Sequence, residues 1–122
     1  MYRSRILDRS VESALRTSGG VLIDGVRASG KTQTGRHHAA SVVILDDGSP
    51  SVAAALQVDP RLLLEGETPR LVDEWQLAPE LWNTARHEID RRGMKGQFIF
   101  TGSSVPAQDA MRHSGAHRFV RL

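Results

Sequence analysis

The sequence has no cysteine among its 122 residues. That excludes a disulfide framework, a cysteine nucleophile and thiolate-bound zinc. Lysine is nearly absent too, two residues against 14 arginines. The pI of about 9.7 comes from those arginines and from a shortage of groups that titrate between about pH 7 and 10. The formal net charge is only +2 and no basic run appears, so nucleic acid is not the expected partner. Long apolar runs are missing as well. The longest reach five or six residues, far below the roughly 20 that cross a bilayer, so no membrane partner is expected. The N-terminal Met1-Tyr2-Arg3-Ser4-Arg5 lacks an apolar segment, which argues against a secretory leader and makes the cytoplasm the expected compartment.

What is present fits one globular domain over residues 1–122. The chain is 39% hydrophobic and 25% charged, outside the disordered range. A chain of this length buries roughly two thirds of its unfolded surface, enough for a core without staples. Ile6, Leu7, Val11, Ala14 and Leu15 recur at helical spacing, and Thr17-Ser18-Gly19-Gly20 stops that helix. Val21-Leu22-Ile23-Asp24 and Val42-Val43-Ile44-Leu45 are short continuous apolar runs, the pattern of strands buried on both faces. Ser51 is placed to cap a helix through Val58, with Pro60 ending it. Leu71-Val72-Asp73 reads as a third strand, and Pro79 opens a helix through Arg91, closed by Gly93. Gln97–Thr101 reads as a fourth strand, Ala107–Ser114 as one or two helical turns, and Phe119–Leu122 as a fifth strand. This alternation predicts an α/β fold, a parallel sheet with helices on both faces. Ligands of such folds bind at the carboxyl ends of the strands.

The residues after the strands carry the chemistry. Gly25-Val26-Arg27-Ala28-Ser29-Gly30-Lys31-Thr32 matches the phosphate-loop pattern G-x-x-x-x-G-K-[ST], Walker A, in full. Gly25 and Gly30 permit close backbone approach. Successive N–H groups make a nest for phosphate oxygens, and the following helix aims its positive end at the same anion. Lys31 can reach the β and γ phosphates, and the Thr32 hydroxyl can ligate Mg²⁺. Arg27, Ala28, Ser29 and Gln33 complete the expected nucleotide contacts. After the third strand comes Asp73-Glu74. Here Asp73 can hold Mg²⁺, directly or through water, and Glu74 can orient or deprotonate the attacking water, as in Walker B. After the fourth comes Thr101-Gly102-Ser103-Ser104, where Thr101, Ser103 and Ser104 are candidates for the γ-phosphate or the water. Arg118, near the fifth strand, reads from spacing alone as a solvated side chain. His37-His38 read as a surface pair, because adjacent helical positions do not face one metal. His87, His113 and His117 have no partners at metal spacing. Trp75 and Trp82 are expected to pack the helix after the third strand, and Gly35 to sit close against the sheet.

Three segments together resemble one family. They are Gly25–Thr32, Pro69–Trp82 with its Asp73-Glu74, and Gly96–Ser104 with its Thr101-Gly102-Ser103. They look like the AAA-type ATPase domain of bacterial and archaeal proteins that carry a C-terminal DUF4143 domain, and Arg112–Phe119 resembles that family's step before the last core strand. The resemblance implies a P-loop NTPase three-layer α/β/α sandwich, with a five-stranded parallel sheet in the order 5-1-4-3-2. It implies ATP and Mg²⁺ as ligands, Lys31 and Glu74 as catalytic groups, Thr32 and Asp73 at the metal, and Thr101 to Ser103 at the first sensor position. Arg118 matches the family's arginine after the helix, which implies a third catalytic group acting in trans or as a sensor, although His117 stands where the family usually has glycine. Family members continue into a helical lid and the DUF4143 region; this sequence stops at Leu122, which reads as truncation after the core. The expected function is Mg-ATP binding with weak or partner-dependent hydrolysis. The alternatives are a non-hydrolysing nucleotide-binding or interaction module and a truncated gene remnant. A protein partner or self-association is left open.

Overall fold

The computed structural model describes residues 5–23, 30–45, 50–102 and 119–121. Helix α1 (Arg5–Thr17) leads to strand β1 (Gly20–Ile23). Helix α2 (Gly30–His38) precedes β2 (Ser41–Ile44), and α3 (Pro50–Val58) precedes a 3₁₀ turn at Pro60–Leu64. Strand β3 (Arg70–Asp73), a short 3₁₀ turn at Trp75–Leu77, helix α4 (Glu80–Arg92), β4 (Phe98–Thr101) and β5 (Phe119–Arg121) complete the order. The expected turns over Ala107–Ser114 lie outside the described residues.

All strand pairs are parallel. The sheet order is β2-β3-β4-β1-β5, which read from the other edge is 5-1-4-3-2. Side chains alternate between the two faces with the period of two that a strand imposes. Val21, Ile23, Leu71 and Ile99 face one way and join Val11 and Ala14 of α1. Leu22, Val43, Val72, Phe98 and Phe100 face the other way and join Leu63, Leu64, Trp82, Ala85 and Ile89. Helices α1 and α2 thus cover one face, while α4 and the Pro60 turn cover the other. This is the three-layer arrangement expected from the sequence.

The second layer is built around aromatic rings. Trp75 and Trp82 are buried, with centroids 5.4 Å apart. Phe119 of β5 stacks on Trp82 at 4.3 Å and meets the Phe100 ring edge-on at 5.1 Å. One large side chain therefore anchors a three-residue strand to the sheet. Beside this layer Glu88, 5% exposed, is clamped by two cations. Arg91 donates to both of its oxygens at 2.8 and 2.9 Å, and Arg92 Nε donates at 3.2 Å. Those hydrogen bonds, led by Arg91, hold the Glu88 carboxyl below its ordinary range.

Three details differ from the sequence reading. Helix α3 begins at Pro50, so Ser51 lies inside it and is not its cap; a proline's fixed φ and missing N–H suit a first helical turn. Pro60 does more than stop α3. It opens a 3₁₀ turn capped by Asp59, whose side chain accepts from the Arg61 N–H at 3.1 Å. Strand β2 is not buried on both faces, because it is an edge of the sheet and leaves Val42 37% exposed.

Candidate nucleotide site

Register sets the geometry at the carboxyl end of the sheet. Ile23 of β1 pairs with Thr101 of β4, Thr101 with Asp73 of β3, and Asp73 with Ile44 of β2. Four strands thus end on one rung. Neighbouring strands lie about 4.8 Å apart, so the backbone of Asp73 sits roughly 10 Å from that of Ile23, with β4 between them. The segment that leaves Ile23 carries the phosphate-loop sequence and enters α2 at Gly30. The acidic end of β3 and the end of β1 therefore flank the polar end of β4.

Helix α2 is electrically polarised. Its first turn holds no acidic residue, and its last turn carries Arg36, His37 and His38. Basic groups at the C-terminal end complement the helix dipole and leave the N-terminal end positive. Lys31 is itself in that first turn. A cation there opposes the dipole by about 0.3–1 kcal/mol unless an anion is shared between them. Both charges suit a phosphate. Gly35 lets the helix sit close to the sheet: a Cβ there would come 2.8 Å from Leu71 Cδ1 and 3.2 Å from Thr101 Cγ2. That close approach is what the sequence reading expected of this glycine.

On the acidic side, Asp73 is only 7% exposed and Thr101 1%. Thr101 Oγ1 donates to Asp73 Oδ1 at 2.7 Å. A buried carboxylate must be solvated by the protein, and this hydroxyl supplies part of that solvation. Thr101 was a candidate for direct contact with phosphate; its hydroxyl is engaged with the neighbouring carboxylate. Glu74 follows in the left-handed region, at φ 59° and ψ 47°. For a residue with a Cβ this backbone costs about 1–2 kcal/mol. Such strain concentrates at functional positions. The Glu74 carboxylate accepts from Gln76 Nε2. Gln76 in turn packs over the end of β4, where a Cβ on Gly102 would overlap its amide. The sequence reading passed over Gln76. The spacing Glu-x-Gln across a 3₁₀ turn was the only available signal.

Of the expected site residues, Asp73, Glu74 and Thr101 are thus brought together, and Gly30, Lys31 and Thr32 open α2 with exposed Gln33. Gly25, Arg27, Ala28, Ser29, Ser103 and Arg118 lie outside the described residues.

The sheet order, the helices on both faces and the rung of strand ends define a P-loop NTPase-like α/β fold. A family model described as "AAA domain" matches residues 17–122, so the chain belongs to the AAA domain family. No curated protein matches the chain. No helix among the described residues is long and apolar enough to cross a membrane.

Proposed function

We propose that this AAA domain binds Mg·ATP across the carboxyl ends of β1, β4 and β3 and hydrolyses it slowly by itself. The observation that carries this reading is the common rung of Ile23, Thr101 and Asp73, with the Thr101 hydroxyl on the Asp73 carboxylate. The donors suit the ligands. Hydroxyl and carboxylate oxygens, as on Thr32 and Asp73, are the hard ligands Mg²⁺ takes. The cationic first turn of α2 matches a polyphosphate. Thr32 and Asp73 would hold Mg²⁺, which would supply positive charge against the charge developing on the phosphates.

The chain's own residues divide the remaining work. Lys31 neutralises and orients the β and γ phosphates, with the N–H groups of residues 25–32 around them. Thr32 and Asp73 would be the cation's protein ligands, and the Thr101 hydroxyl holds the Asp73 carboxylate. Glu74 positions the attacking water and takes its proton; Gln76 steadies that carboxylate before substrate arrives. Ser103 and Arg118 are assigned to the γ-phosphate. The resemblance to ATPase domains that precede a DUF4143 region supports ATP as the nucleotide. A partner that completes the site would raise the slow turnover.

The test is Glu74→Gln, followed by phosphate release and by nucleotide titration. Loss of a general base typically costs 10²–10⁴-fold in rate, so turnover should fall by about that factor while Mg·ATP affinity persists. Equal phosphate release from wild type and variant would overturn the assignment of Glu74.

A further inference from the structure

The far end of α2 holds a second cluster that the nucleotide site does not use. Asp8 of α1 meets His37 and His38 at the end of α2, and one ligand atom from each lies within 4.8 Å of the others. His38 Nε2 and Asp8 Oδ1 are 2.8 Å apart. These two side chains are 9% and 18% exposed, while His37 is exposed. From the sequence, adjacent histidines read as diverging surface groups. Here the imidazoles instead meet edge-on, with centroids 5.0 Å apart at 84°, and α1 brings a carboxylate from 30 residues away.

We propose that Asp8, His37 and His38 form a divalent-metal site of the zinc class. Two imidazoles and one carboxylate are a three-residue zinc set that leaves a fourth position for water. Nitrogen donors favour zinc and its neighbours over Mg²⁺ or Ca²⁺, which take oxygen. Tetrahedral ligation with bonds near 2.1 Å needs ligand atoms roughly 3.4 Å apart. No pair must therefore close by more than roughly 1.4 Å, and the Asp8–His38 pair must open slightly. The location favours a cation as well, since the negative end of the α2 dipole lies here. The convergence of a third ligand atom, from His37, on the Asp8–His38 pair is what distinguishes a metal site from an ion pair. The bound ion would tie α1 to the helix whose first turn carries Lys31. This inference does not depend on ATP binding.

The experiment titrates ZnCl₂ into the full chain in competition with a chromophoric chelator. One equivalent should bind with micromolar or tighter affinity, unaffected by excess MgCl₂. His37→Ala changes an exposed side chain and preserves the fold; it should weaken binding by roughly tenfold or more. Asp8→Asn should do the same, and His87→Ala on α4 should change nothing. Saturating zinc should raise the unfolding temperature of wild type and leave that of His37→Ala unmoved. Absence of saturable binding, or affinity unchanged in both His37→Ala and Asp8→Asn, would overturn the proposal.

Discussion

Thr101→Val isolates the bond at the centre of the candidate site. Valine matches threonine in shape and keeps the methyl that packs beside Gly35, where Thr101 Cγ2 lies 3.2 Å from the position of an added Cβ. Only the hydroxyl is lost, and with it the 2.7 Å bond to Asp73 Oδ1. A hydrogen bond to a charged group contributes about 1.5–3 kcal/mol net. Both side chains are nearly sealed from water, so solvent cannot replace the donor and the upper half of that range applies. For a domain of this size each kcal/mol lowers the unfolding temperature by about 4 °C. The expected drop is therefore about 8–12 °C, read by thermal unfolding with the fluorescence of Trp75 and Trp82. Thr101→Ser should lose about 1 kcal/mol, the share of one buried methyl, because its hydroxyl remains. A double-mutant cycle with Asp73→Ala should return a coupling of about 1.5 kcal/mol or more. Thr101→Val unfolding within a degree of wild type, or a coupling near zero, would refute the reasoning.

Two further substitutions probe the frame around the site. Phe119→Ala removes the ring stacked on Trp82 and should cost about 3–5 kcal/mol, with a loss of near-ultraviolet circular dichroism; Phe119→Leu should retain most of the stability. Glu88→Gln breaks the paired bonds to Arg91 and Arg92 and should cost about 1–2 kcal/mol at neutral pH, the smaller end reflecting the exposure of Arg91. The folded carboxyl of Glu88 titrates below its ordinary 4.5. Its contribution is complete above that value and is lost as pH falls through the lower, folded one. The gap between wild type and variant, measured by urea unfolding, should thus be widest near neutrality and close below pH 4.5. A gap that stays constant into acid would show that the carboxylate charge is not what the arginines hold.

Much of this was legible because the local signals agree. Val21-Leu22-Ile23 and Phe98-Ile99-Phe100 are apolar on both faces, and only a central parallel strand can bury both. Pro79 and Gly93 bracket α4 as its N-cap and left-handed C-cap, with Gly93 at φ 64°. The strand order came from the family resemblance alone, since no local signal states which strand lies beside which. The Thr101–Asp73 bond escaped the sequence reading because strand order does not state register: the two residues are 28 apart and meet only because they share a rung of the β3–β4 pair. Asp8 and His38 escaped it too, being 30 apart on separate helices. Val42 misled because an edge strand and a central one can carry the same apolar run. The left-handed backbone of Glu74 left no mark, for glutamate gives no hint of positive φ.

The central claim is that the first turn of α2 and the acidic rung of β3 act together on one nucleotide. Calorimetric titration of Mg·ATP into wild type and Lys31→Ala tests it most directly. Wild type should bind with a dissociation constant of roughly 1 µM to 1 mM, and Lys31→Ala should bind at least about tenfold more weakly, the equivalent of roughly 1.4 kcal/mol. Equal affinities in the two proteins, or negligible heats in both, would contradict it.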